Sequence, residues 1–222
     1  MTVAYFLKQR TAFIRQFYAT ASAPYLDRLA RIEGEQEPWV PGYSEDGEPP
    51  FLEEWQEADE SLQVLGRSCV SMLAATLHAY LNSWVKLTGI EVEDSLKSAF
   101  KRGWLHGYKA YFARHIRIKF ETGPANLAVL EELVLARNQI QHPTSIETGS
   151  SHYSADDLRK IPHPFFVDER EMELFSASDQ GIRAWLLPPS IRVTPGKLAA
   201  ALSEVEQFCE WLETVEIEPE VP

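Results

Sequence analysis

Cysteine is almost missing from this chain. Its two residues, Cys69 and Cys209, lie far apart on apolar helical faces. That excludes a disulfide framework and a thiolate zinc site, and leaves two buried reduced thiols as the expectation. No run approaches 18 apolar residues, so no membrane span is expected. The first residues lack a short apolar core followed by a small-residue cleavage site, so a secretory signal is not expected and a cytoplasmic location is. Lys8, Arg10 and Arg15 stand without an acid in the first 26 residues. This is faintly similar to a transit peptide, but Val3, Phe6, Phe13 and Phe17 suit one face of a first bundle helix better. A Gly-rich phosphate loop, a nucleophile elbow and a dinucleotide fingerprint are all absent, which removes the common nucleotide-binding and acyl-transfer classes.

Positive charge is also scarce: 21 Lys and Arg stand against 33 Asp and Glu, a net charge of −12. Taken whole, that argues against a nucleic-acid partner, because phosphate binding needs positive surface. The distribution reverses the argument. Lys97–Phe120 holds Lys97, Lys101, Arg102, Lys109, Arg114, Arg117 and Lys119 and no acid, leaving 14 basic against 33 acidic residues elsewhere, or −19. Phe100, Trp104, Tyr108, Tyr111, Phe112 and Phe120 interleave with these cations. Phosphate contacts plus rings for base stacking are what RNA binding requires. Two other readings suit the same pattern: an amphipathic helix with core aromatics and solvated cations, or a patch that meets an acidic protein surface.

Helical periodicity dominates what is present. The spacing predicts a helix from Val3 to Arg31 with a stripe through Phe6, Phe13, Phe17 and Leu26, kinked or split at Pro24. Phe51 to Leu87 is predicted as one helix about 50 Å long, stopped by Gly89. One or two helices follow from Val92 to about Lys119, with Gly103 and Gly107 as breaks. Thr122-Gly123-Pro124 opens a helix over Ala125–His142, and Thr194-Pro195 opens a closing helix buried through Leu198, Leu202, Val205, Phe208, Cys209 and Leu212. Residues 34–50 form an acidic Pro/Gly loop, pinned by Trp39 and Tyr43. Five prolines between Pro143 and Pro189 rule out long helices in residues 143–194, where short strand-like runs appear at Phe165–Val167, Met172–Phe175, Ile182–Leu187 and Ile191–Thr194. The expectation is a single all-α (mainly α) domain over residues 1–222: an elongated bundle with a long helix hairpin and a small strand-containing insertion.

The most specific stretch is Glu131–His142, EELVLARNQIQH, followed by Pro143. Asn138 and His142, four apart, share a helix face, and the long Arg137 stem reaches toward them. Pro143 disfavours helical geometry at His142, so the helix ends there. A permanent cation, an amide and an imidazole at one helix end suit metal-free RNA cleavage. The 2′-OH needs a base near neutral pKa, and the phosphoryl oxygens need a bidentate cation. The plain alternative is a helix C-cap in which Arg137 and His142 satisfy terminal carbonyls. His142, His152 and His163 are ten and eleven residues apart, which is not metal-ligand spacing, so no metal and no cofactor are expected. His78 is expected to be packed or hydrogen-bonded, and the clusters Asp156-Asp157 and Asp168–Glu171 to be solvated loop charge.

The run Leu133–His142, LVLARNQIQH, resembles the signature of the HEPN superfamily: an Arg, usually followed by a polar residue, with a His four to six residues on. The placement of the motif late in a bundle with a long helix pair is also similar. The resemblance implies a helical homodimer whose two motifs face each other, acting as a metal-independent endoribonuclease, often in toxin–antitoxin or anti-phage defence systems. It implies that Arg137 stabilises the phosphate, that Asn138 is the polar follower and that His142 is the acid/base. RNA, a second copy and an antitoxin or other protein are the partners it implies. Within the basic segment, read from its own charge pattern, Lys101, Arg102, Lys109, Arg114, Arg117 and Lys119 are the expected RNA contacts. A branch of the family is regulated by modification of a Tyr two residues after the His; here that position is Thr144. The competing reading is a non-catalytic dimeric helical module that uses the basic segment for binding.

Overall fold

The computed structural model describes residues 3–42, 49–142, 151–178 and 188–215. Two long helices form its spine. α1 (Val3–Glu33) and α2 (Leu52–Thr88) run as an antiparallel hairpin, tied at their far end by Arg28 to Glu57 at 3.0 Å and by Trp55 Nε1 donating to Glu33 at 3.0 Å. Trp39 does pin the connecting loop, edge-on to Phe51 with centroids 5.3 Å apart; Tyr43 lies outside the described residues.

α2 forms because no proline interrupts its periodicity. It stops at Gly89, which takes a left-handed φ of 68° that a side chain would resist. Its inward face, from Leu62 through Cys69, Leu73, Leu77 and Leu81, is the centre of the core. One 18-residue window of α2 is apolar enough to cross a membrane by length and composition, with a mean hydropathy of 1.2. The sequence reading, counting uninterrupted apolar runs, did not single it out. In the structure 56% of that window is buried inside the bundle.

α1 is continuous through Pro24, which lies on an exposed stretch of the helix, where a carbonyl left without the missing Pro24 N–H is accessible to solvent. The register differs from expectation. Leu7, Ile14 and Tyr18, with Thr11 and Ser22 between them, face inward. The expected stripe faces out: Phe6 is 54% exposed, Phe13 58% and Phe17 38%. The inward set alternates bulky and small residues, which lets α1 approach α2 closely, whereas a ridge of phenylalanines would hold the helices apart.

Three further helices follow along the chain. α3 (Lys97–Lys101) and α4 (Trp104–Tyr111) are two helices in the basic segment, where one or two were expected. Gly103, at φ 143°, breaks the chain between them, and a π-turn at Phe112–Ile116 ends the run. α5 (Leu127–Gln141) begins later than predicted, at an Asn126 cap whose side chain accepts from the Ala128 N–H at 3.1 Å.

The proline-rich part folds differently from expectation. Among the described residues there is no strand, only an isolated bridge between His152 and Ser190. The run at Met172–Phe175 is inside helix α7 (Glu169–Ala177), capped by Asp168; Phe165–Val167 is a turn and Ile191–Thr194 belongs to no strand, its Ile191 and Arg192 N–H groups donating to the Ser151 and Phe166 carbonyls at 2.7 and 3.0 Å. Ile182–Leu187 lies outside the described residues. A short helix α6 (Ala155–Lys160) opens on a Ser154/Asp157 capping box, so Asp157 is 4% exposed and takes a third hydrogen bond from Gln139 at 2.7 Å. These aspartates are helix starts rather than solvated loop charge.

One buried acid anchors the region. Glu132 on α5, 2% exposed, accepts from Tyr153 Oη at 2.6 Å and from the Phe165 and Phe166 N–H groups at 2.5 and 2.7 Å. Burial, then the Glu132 charge, holds the Tyr153 phenol protonated far above its usual range. The closing helix α8 (Pro195–Thr214) starts on a Thr194 cap and buries the whole expected stripe, with Phe208, Cys209 and Leu212 at 0%. Both thiols are free and buried; burial raises Cys69 to about 11 and lifts Cys209 well above its ordinary value.

Candidate functional site

The last turn of α5 divides its residues sharply. Leu130, Leu133 and Ala136 are fully buried and fix the helix against α2 and α8. On the opposite side Asn138 and His142 are exposed and Arg137 is half-exposed. His142 is the residue at which the helix ends: its N–H still donates to the Asn138 carbonyl at 3.0 Å, but its φ and ψ of −128° and 62° leave the helix. The predicted boundary is therefore right to one residue. The following Pro143 and Thr144 lie outside the described residues.

Arg137 Nη1 donates to the Asn138 side-chain oxygen at 3.0 Å. This amide is the guanidinium's hydrogen-bond partner, and no carboxylate pairs with Arg137 among the described residues. The guanidinium retains its charge and most of its five donors for an anion.

Sequence reasoning missed the residues beside it. His78, on α2, is exposed and stacks on Trp104 at 4.7 Å with a 26° tilt. Partial burial, then the nearby Arg137 charge, lowers the His78 pKa from 6.5. His78 is therefore neutral near pH 7, an imidazole able to accept a proton. No sequence pattern links positions 78, 104 and 137; only helix packing brings them together. Gly107 sits one turn after Trp104, and the Phe100 ring lies where its Cβ would be, at 2.3 Å. That contact locks α3 against α4 and fixes where Trp104 stands.

Asn138 also borders an open groove of about 620 Å³ between α4, α5 and α6, together with Arg102, His106, Glu131 and Lys160. Its floor is apolar, from Leu105, Val134 and Leu135. Arg102 and Lys160 carry positive charge against the single acid Glu131, so the groove suits an anionic ligand with a flat apolar part.

The basic segment is less basic in space than in sequence. Lys109 pairs with Glu121 at 2.7 Å and Glu131 at 3.7 Å, Arg114 with Glu93 at 2.7 Å and Lys97 with Asp94 at 2.6 Å. The Glu121 hydrogen bond is the main cause of a raised Lys109 pKa, and the same bond lowers Glu121. Lys101, Arg102, Arg117 and Lys119 are exposed and form no ion pair with the described residues. The aromatics divide similarly. Tyr108, Tyr111, Phe112 and Phe120 are buried core, which removes them as stacking platforms, while Phe100 and Trp104 are half-exposed. Among the described residues no group of three His, Cys, Asp or Glu gathers where a metal ion would sit.

Comparison with protein-family models, curated proteins and solved structures finds no match for this chain.

Proposed function

We propose that the chain is a cytoplasmic, metal-independent endoribonuclease of HEPN type, acting as a homodimer in a toxin- or defence-like role. The observation that carries the reading is the Arg137 guanidinium, which no carboxylate among the described residues pairs and which Asn138 holds at the end of α5, about one turn before an exposed His142. In the proposed reaction the 2′-oxygen attacks the adjacent phosphorus. The 2′-O–P bond forms as the P–O5′ bond breaks, leaving a cyclic phosphate and a 5′-hydroxyl. One imidazole takes the 2′-OH proton and another protonates O5′, a task for His142 from each of two copies. Arg137 neutralises the phosphoryl oxygens as negative charge accumulates. Arg102 and Lys160 along the groove, with Lys101, Arg117 and Lys119, supply backbone contacts, and the Trp104–His78 pair offers a surface for a base.

One observation favours a second reading. Arg137 is engaged with Asn138 and influences His78, and no contact joins it to His142. The chain would then be a non-catalytic dimeric module that binds nucleic acid or protein through the same cations.

A single assay separates them. Purified protein is incubated with single-stranded RNA in EDTA, and cyclic-phosphate ends are measured. The nuclease reading expects cutting, none on a 2′-deoxy substrate, and at least about a hundredfold loss for His142→Ala and for Arg137→Ala with thermal melts unchanged. Intact RNA after long incubation with dimeric wild type rejects catalysis and leaves the module.

A further inference from the structure

The hairpin has an outer face that no other described residue covers. α8 packs on one side of α1, where Lys8 pairs with Glu210 at 2.8 Å and Arg15 with Glu206 at 3.1 Å. The opposite side carries Phe6, Phe13 and Phe17, the last two stacked with centroids 6.1 Å apart and planes 10° apart. Alongside runs the outward strip of α2. Val64 is 56% exposed, Ser68 and Ala75 are exposed, and from Val64 to Asn82 the outward positions carry no charge beyond the neutral His78. Three protruding rings on a neutral face are unusual on a chain that otherwise exposes acids.

The charges at the two ends of this face are opposite. Exposed Glu53, Glu57 and Glu60 stand at the α2 N-terminal end; Glu57 is 70% exposed although Arg28 touches it. At the other end stand exposed Lys86 and Arg10, neither with an acidic partner among the described residues. A face that is acidic at one end, neutral in the middle and basic at the other complements itself when turned end for end. Pairing Lys86 with Glu57 of a second copy puts the symmetry axis next to Ser71. Ser68 then lies opposite Ala75, and the small side chains let the two α2 helices approach closely. The area is adequate. The 31 residues of α1 span about 45 Å, two helices present a width of about 20 Å, and the roughly 900 Å² that results matches the roughly 800 Å² per partner of stable interfaces.

We infer that a second copy of this chain occupies the face, in an antiparallel two-fold dimer of α1–α2 hairpins. His78 lies at its edge. The inference does not depend on the ribonuclease reading: a dimer that cuts nothing satisfies it.

Sedimentation equilibrium of the full chain from about 1 to about 100 µM tests it, with a monomer mass of 25.3 kDa as reference. Wild type is expected to dimerise, and Phe13→Asp with Phe17→Asp to weaken association at least about tenfold without changing the far-UV spectrum. Lys86→Glu is expected to weaken it, and adding Glu57→Lys in the same chain to restore it. Ser68→Cys with Ala75→Cys is expected to give a disulfide dimer on mild oxidation. Each single variant should give little, and residues two helical turns apart are too distant to close a bridge within one chain. A wild type that stays at the monomer mass throughout overturns the inference, as does a dimer indifferent to the Asp pair or a double cysteine that does not cross-link. Monomeric protein that partitions onto anionic phospholipid vesicles through the same phenylalanines also overturns it, in favour of a lipid surface.

Discussion

α1 and α8 both lie against α2, both are long, and both carry apolar residues at helical spacing, yet α8 hides its whole apolar stripe and α1 displays three phenylalanines. In α8 the residues from Leu198 to Leu212 form one stripe, and every member is at most 2% exposed. In α1 there are two stripes about a quarter turn apart. The one with fewer rings, Leu7–Ile14–Tyr18, took the core, and Phe6–Phe13–Phe17 stayed outside. Hydrophobic mass alone therefore does not choose the buried face. The choice falls to the stripe whose bulky and small residues alternate to fit the neighbouring helix.

The largest expected effect tests the closed member of the pair. Phe208 is fully buried against Phe120, with ring centroids 4.8 Å apart. Phe208→Ala removes the ring and leaves a cavity, so it should cost about 3–5 kcal/mol in urea unfolding. A loss under about 1 kcal/mol would mean that α8 is not part of the cooperative core, and the contrast with α1 would fail.

A smaller effect discriminates between the two stripes of α1. Ile14, 1% exposed, should lose about 1 kcal/mol when shortened to Val, whereas Phe13→Ala, a far larger deletion, should change monomer stability by less than about 0.5 kcal/mol. The measurement belongs at protein concentrations too low for association. The reverse ranking would place the phenylalanines in the core and remove the docking face with it.

This register is also where sequence reading was weakest. The existence of α2 and α8 was legible because an unbroken period over 20 or more residues has few competing interpretations, and Gly89 and Thr194-Pro195 mark ends by backbone chemistry. The short run Met172–Phe175 read as a strand, although Asp168 was a cap in plain view and Ser154-x-x-Asp157 a capping box. Those short motifs outweigh a four-residue run whose period is ambiguous. At the candidate site, the open helix end with Arg137, Asn138 and His142 was legible from the apolar period and Pro143. The neighbours His78 and Trp104 were not, because their proximity is set by how α2 and α4 pack. Nor was the burial of Glu132, an acid in an apolar helix whose partners, Tyr153 and the Phe165 and Phe166 amides, come from more than 20 positions away.

The smallest expected effect lies on the line where α1 and α8 meet. Arg15 reaches Glu206 through one terminal nitrogen at 3.1 and 3.2 Å, with side chains 48% and 27% exposed. Water competes for both groups and ordering two long side chains costs entropy, so a double-mutant cycle of Arg15→Ala and Glu206→Ala should return a coupling of about half a kcal/mol. Raising the ionic strength to about 1 M should erase most of it, because the screening length there falls to about 3 Å. A coupling of several kcal/mol that survives salt would mean that the bridge, rather than the fit of Leu7, Ile14 and Tyr18, sets how α1 is rotated. The exposure of the phenylalanines would then be a by-product of one ion pair. A weak, salt-sensitive coupling instead leaves side-chain packing as the cause of the rotation.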